Sequence, residues 1–139
     1  MISGRHFACV WAGDSRLYLW RGGQLRQLTR DHTEAQALAE AGIMSLAEAE
    51  RQTDQNAIAR AVGGEEILEL ETLQAALEDG DFLLLCTDGL TKMASDAEIA
   101  ATLGRLAPQM AVDRLRDLAL ERGGIDNVTI VAVRFGLAP

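Results

Sequence analysis

The feature that most constrains this chain is the unbroken apolar run Phe82-Leu83-Leu84-Leu85-Cys86, bracketed by Gly80-Asp81 and by Thr87-Asp88-Gly89. A run this short cannot cross a bilayer, which takes ~20 residues. With no polar residue on either side of the pleat, it reads as a strand covered on both faces. The chain must therefore supply apolar layers above and below it. With 139 residues, 48% of them hydrophobic, it has enough material for one domain with a sizeable core. Residues 128–135 read as a final buried strand. Near the N-terminus, residues 7–12, 17–20 and 24–28 read as a three-stranded β-meander, interrupted by Gly13-Asp14 and turned by Gly22-Gly23. Residues 67–73 alternate apolar and acidic side chains, the pattern of a half-exposed strand.

Helical signals fill the remainder. Thr33 can cap one short helix, with Gly42 as a break. Ser45-Leu46-Ala47-Glu48 has the capping-box pattern for a second. A helical turn is expected over residues 56–61, ended by Gly63-Gly64. Ser95-Asp96-Ala97-Glu98 opens a helix to about Leu106. Pro108 suits the first turn of the next, whose apolar stripe is Ala111, Leu115, Leu118 and Ala119, and Gly123-Gly124 stops it. No internal repeat or linker divides the chain.

Charge narrows the function classes. Thirteen basic and 21 acidic residues give a net charge of −8, with no basic run to track a phosphate backbone, so nucleic acid is not an expected partner. Neither is a membrane: no apolar stretch is long enough, and residues 1–6 lack the shape of a signal peptide. Cys9 and Cys86 lie in apolar stretches and read as reduced thiols of a cytoplasmic protein, with no spacing that would hold zinc.

Three carboxylates share a pattern. Asp14 follows a strand and Gly13, Asp88 follows a strand and precedes Gly89, and Asp126 lies between Gly123-Gly124 and a strand, with Asn127 beside it. Each alone is an ordinary turn signal. Together they are short acids at strand ends, with glycines that allow close backbone approach or positive φ. Carboxylates gathered in one place repel unless a cation joins them, and oxygen-only donors suit magnesium or manganese.

Five stretches, in order along the chain, resemble the type 2C metal-dependent serine/threonine protein phosphatases. They are Trp11-Ala12-Gly13-Asp14-Ser15-Arg16, Leu28-Thr29-Arg30-Asp31-His32, Asn56-Ala57-Ile58-Ala59-Arg60-Ala61-Val62-Gly63, Leu84-Leu85-Cys86-Thr87-Asp88-Gly89-Leu90-Thr91 and Gly123-Gly124-Ile125-Asp126-Asn127-Val128-Thr129. The style resembles compact bacterial members, those associated with type VI secretion among them. The resemblance implies an α+β fold, an antiparallel β-sandwich flanked by helices. It implies Mn2+ or Mg2+ as cofactor, two or three ions in a complete domain. Asp88 and Asp126 resemble ligands of the central metal pair, Asp88 also touching a third site that Asp14 completes. Gly13, Gly89 and Asn127 form the turns at the metal site. Residues 31–55, beginning with Asp31 and His32, resemble the flap beside the active site. The implied reaction is hydrolysis of phosphoserine and phosphothreonine in proteins by a metal-activated water, within a pathway that includes a cognate kinase. Neither Cys9 nor Cys86 has the surroundings of a thiol phosphatase, so no cysteine nucleophile is expected.

The family's leading segment, with its phosphate-binding arginine and the aspartate that bridges the central metals, has no counterpart here. The expectation is thus an incomplete type 2C domain over residues 1–139: part of a longer phosphatase, a chain that self-associates, or a non-catalytic binding or regulatory relative. His32 is read as a surface or capping group, Arg16 and Arg60 as partners of local acids, and residues 65–71 as a solvated strand face.

Overall fold

The computed structural model describes residues 1–53, 57–60, 63–64 and 67–136. Two compact units emerge, one of Met1–Cys9, Ser15–Thr29 and Leu73–Pro139, the other of Val10–Asp14 and Arg30–Thr72.

The strands form two sheets. One has the order β1-β2-β5, from Ile2–Ser3, His6–Trp11 and Glu71–Ala76. The other has the order β4-β3-β6-β7, from Gln24–Gln27, Arg16–Arg21, Phe82–Cys86 and Ile130–Arg134, antiparallel throughout. β6 is an interior strand, between β3 and β7, as its composition requires. Leu83 joins Phe7, Leu17, Leu19 and Leu77 in one apolar cluster. Phe82, Leu84 and Cys86 join Tyr18, Leu90, Ile99, Leu103, Ala111, Leu115 and Ala119 in another. The first cluster fills the space between the sheets; the second seats α4 (Asp96–Leu103) and α5 (Pro108–Glu121) on the opposite face. This is the sandwich flanked by helices, of α+β class.

Several expectations need correction. The meander does not form: β2 pairs in one sheet and β3 in the other, because Gly13, at φ +104°, breaks the strand and redirects the chain. Of the three strands expected in the meander, β3 and β4 make a hairpin, while β2 pairs instead with the short β1. The alternating strand starts later, at Glu71, because Leu73 and Ala75 reach the inter-sheet core while Ile67 and Leu70 stay exposed. The α4 helix ends at Leu103 rather than Leu106; at Gly104 a Cβ would lie 3.2 Å from the Trp20 ring. Burial of β6 and β7 is incomplete, since Leu85 and its cross-strand neighbour Val131 are exposed.

In the second unit, α1 (Glu34–Glu40) is capped by Thr33, and α2 (Leu46–Gln52) starts in the expected capping box of Ser45 and Glu48. The buried residues of these helices are the small Ala35 and Ala49. A bridge joins Thr33 to Ile58. The turn expected at 56–61 lies partly outside the described residues, as do Asp54, Gln55, Glu65 and Glu66. No helix among the described residues is long and apolar enough to cross a membrane. Both cysteines are free thiols, Cys86 buried and Cys9 half-buried.

Candidate metal centre

At one end of β6 the chain passes through Thr87 into the single-turn helix α3 (Asp88–Thr91). Thr87 ties this junction to the segment that leads into β7. Its amide donates to the Thr129 carbonyl (3.1 Å), its hydroxyl donates to the Asn127 carbonyl (3.2 Å), and the Thr129 amide donates back to that hydroxyl (3.0 Å). Gly89 is needed here for space rather than for its dihedrals. A Cβ on it would lie 2.3 Å from the Asn127 carbonyl oxygen, so no larger residue lets the two segments approach this closely.

The result is a pair of carboxylates facing one cation. Asp88 Oδ2 lies 2.6 Å from Lys92 Nζ, and Asp126 Oδ2 lies 3.8 Å from the same nitrogen. Asp126 Oδ1 accepts the Asn127 amide at 2.7 Å, which fixes the carboxylate's orientation. Asp88, Asp126, Gly89 and Asn127 thus come together as the sequence suggests. Lys92 is the residue sequence reasoning missed: four positions after Asp88, it looks like an ordinary helical ion pair.

This donor set fits a divalent cation. Both acids offer oxygen alone, and their convergence on one ammonium marks a point where positive charge is stabilised. Magnesium, and manganese with it, is commonly held by one or two carboxylates with waters completing the shell. Among the described residues, no group of three or more His, Cys, Asp or Glu side chains is arranged to hold a metal.

Asp14 belongs to the other unit, half-buried in the loop after Gly13. That loop is pinned to His32 at both ends of a peptide: the Gly13 amide donates to His32 Nδ1 (3.1 Å), and the His32 amide donates to the Gly13 carbonyl (2.9 Å). The His32 ring stacks on Trp11, centroids 6.2 Å apart and planes 13° from parallel, and Trp11 Nε1 donates to the Arg30 carbonyl at 3.0 Å. Contrary to expectation, His32 is no surface group. Its side chain is 4% exposed and organises the loop. Because Nδ1 accepts, the neutral ring carries its proton on Nε2, which sits 3.1 Å from Glu71 Oε1 but is poorly aligned for a hydrogen bond.

Glu71 is the second missed residue, and it corrects the solvated-face reading. Its Oε1 also receives Arg30 Nη2 at 2.6 Å and lies 3.5 Å from Arg60 Nη1. Arg30 further pairs with Glu40 (3.1 Å) and Arg60 with Glu69 (3.0 Å), so Arg60 is the structural ion-pair partner expected. The hydrogen bond from Arg30 holds the Glu71 carboxyl below the usual carboxylate range, against a smaller opposing effect of burial. Asp31, His32, Arg30, Arg60 and Glu71 line a small cavity of about 130 Å3. Arg16 reaches the Tyr18 hydroxyl at 3.0 Å, and that hydroxyl donates to Asp96 at 3.1 Å.

Comparison with known proteins places the chain. The family model described as Protein phosphatase 2C matches residues 1–128. The serine/threonine protein phosphatase PstP of Mycobacterium tuberculosis is 39% identical over 131 residues, which are 94% of this chain and 25% of PstP. The structure of PppA, a key regulatory component of T6SS in Pseudomonas aeruginosa, superposes with a TM-score of 0.84 at 39% identity, over 96% of this chain and 55% of that one. The catalytic domain of PstP in complex with two manganese ions superposes with a TM-score of 0.81 at 38% identity, over 95% of this chain and 54% of that one. The chain therefore spans between a quarter and about half of the proteins it matches.

Proposed function

Because the chain belongs to the protein phosphatase 2C family, we propose that it is part of a phosphatase that hydrolyses phosphoserine and phosphothreonine in proteins with the help of Mn2+ or Mg2+. The observation that carries this reading is the convergence of Asp88 and Asp126 on a single cationic atom at the end of β6. In the reading, these two carboxylates hold the cation. When bound, a divalent ion lowers the pKa of a coordinated water and neutralises charge on the phosphate oxygens. The protein's own part is positioning. Thr87 and Gly89 hold the two acidic segments in contact, and the Asn127 amide keeps one oxygen of Asp126 occupied so that the other is directed at the cation.

Further roles follow from the family motifs. The stretch around Asp14 supports a cation-binding role for that residue, and two or three ions would serve the complete domain. Residues 31–55, with Asp31 and His32, would act as the flap that influences substrate choice. The activity would sit in a longer, cytoplasmic protein opposed by a serine/threonine kinase, the missing ligands coming from a further segment or a second copy. A second reading, a non-catalytic binding or regulatory module, is favoured by the carboxylate pair lacking a third ligand among the described residues.

Hydrolysis of p-nitrophenyl phosphate and of a phosphothreonine peptide by the longer protein that carries this chain, with manganese and with EDTA, separates the two. The proposal expects turnover that EDTA abolishes and that falls at least ~100-fold in Asp88→Asn. Turnover indifferent to EDTA, or no turnover at all, would overturn it.

A further inference from the structure

We propose that Lys92 is a built-in competitor for the divalent cation, an ammonium that occupies the carboxylate pair and must be displaced before metal binds. The inference rests on the reading of Asp88 and Asp126 as cation ligands. Three observations carry it. Lys92 Nζ is 2.6 Å from Asp88 Oδ2 and 3.8 Å from Asp126 Oδ2, so the lysine sits on the carboxylates a metal would use. Its backbone is fixed for that purpose: the Lys92 amide donates to the Asp88 carbonyl at 2.8 Å, closing the turn that brings its side chain back over Asp88. Its side chain is 22% exposed and carries a flexible, strongly hydrated head group, so it can swing into solvent without disturbing the apolar core.

The physical consequence is competition of like charges. An ammonium and a divalent ion cannot share two carboxylate oxygens, because their mutual repulsion adds to the loss of the lysine's ion pairs. Metal affinity is therefore set below what the two acids alone would give. In the absence of metal the same lysine quenches the repulsion between Asp88 and Asp126, protecting the fold. Lys92 is thus a positioning and tuning residue with no role in bond breaking.

The test is a calorimetric titration of Mn2+ into the wild-type chain, Lys92→Gln and Lys92→Arg, with thermal unfolding of each with and without manganese. Lys92→Gln is expected to bind Mn2+ about tenfold more tightly, ~1.4 kcal/mol. Its metal-free Tm should fall by about 2–4 °C as the acids lose their counter-charge. Lys92→Arg, which keeps the charge, should bind within about twofold of wild type. Equal or weaker Mn2+ binding by Lys92→Gln, with wild type binding normally, would overturn the competition while leaving the metal reading intact. No Mn2+ binding by wild type or either variant would overturn both. Should Lys92→Gln unfold, Lys92→Met supplies the same charge removal on a stem of similar length and is read by the same criteria.

Discussion

Two clusters of charge in this molecule treat their carboxylates in opposite ways. At the end of β6, Asp88 and Asp126 share one lysine, near to the first and distant from the second. In the second unit, Glu71 is met by both Arg30 and Arg60, which also pair with Glu40 and Glu69, and the buried His32 lies against the same oxygen. The difference lies in the hardware. Guanidinium is planar, always charged and able to hold a fixed geometry, so the Glu71 cluster behaves as a clasp. A single ammonium on a flexible stem, facing two acids, is exchangeable. Clustered charge is therefore a candidate site only where its neutralisation is incomplete and replaceable.

The comparison can be broken most forcefully at Gly89. Gly89→Ala places a Cβ 2.3 Å from the Asn127 carbonyl oxygen, so the two acidic segments must separate. A loss of about 3 kcal/mol in chemical denaturation is expected, together with weakened Mn2+ binding. Asp126→Asn tests the carboxylate pair with less damage to the fold. Its Oδ2 is the oxygen farther from Lys92 and its side chain is 44% exposed, so a roughly tenfold loss of Mn2+ affinity by calorimetry is expected, with stability near wild type.

Glu71→Gln sharpens the other side. It removes charge from the clasp while keeping its shape, and should lower stability by about 1 kcal/mol, since Arg30 is exposed and Arg60 only half-buried. Mn2+ affinity should not change by more than about twofold. The same residue predicts a pH effect. Its carboxyl is held below the ordinary range chiefly by the Arg30 hydrogen bond, so its contribution is complete above the unfolded-state value of ~4.3 and drains away as the pH falls through the lower folded value. The smallest effect is expected at Glu98, where hydrogen bonds from Arg122 first, then from Ser95, bring the carboxyl down to about 2. Its contribution is lost between an ordinary 4.5 and that value, and Glu98→Gln should flatten the acid limb of a Tm-against-pH curve over that range.

The legible parts of the fold were those governed by local physics. The capping boxes at Ser45 and Ser95, the proline start and glycine stop of α5, and the largely buried β6 were marked by residues within a short stretch of sequence. The pattern of short acids near glycine at strand ends also singled out Asp88 and Asp126, which the structure brings to the same lysine. What the sequence concealed was set by distant partners. Glu71 meets Arg30 across 41 positions, and nothing in the alternation around it marks a clasp. The partition of β2 and β3 into different sheets hangs on the single positive φ of Gly13, which sequence reading treats as an ordinary hairpin interruption. His32 resembled a surface group because its burial comes from Trp11 and the Gly13 loop. Lys92 was hidden by its ordinariness, an i,i+4 pair whose second acid arrives from 34 residues onward, from position 92 to position 126.

In the proposed function the exchangeable pair, and not the clasp, holds the divalent cation. A parallel Mn2+ titration of wild type, Asp88→Asn and Glu71→Gln tests it most directly. The account predicts binding by wild type and Glu71→Gln alike, and a loss of at least ~100-fold in Asp88→Asn. Binding that survives Asp88→Asn but disappears in Glu71→Gln would contradict it.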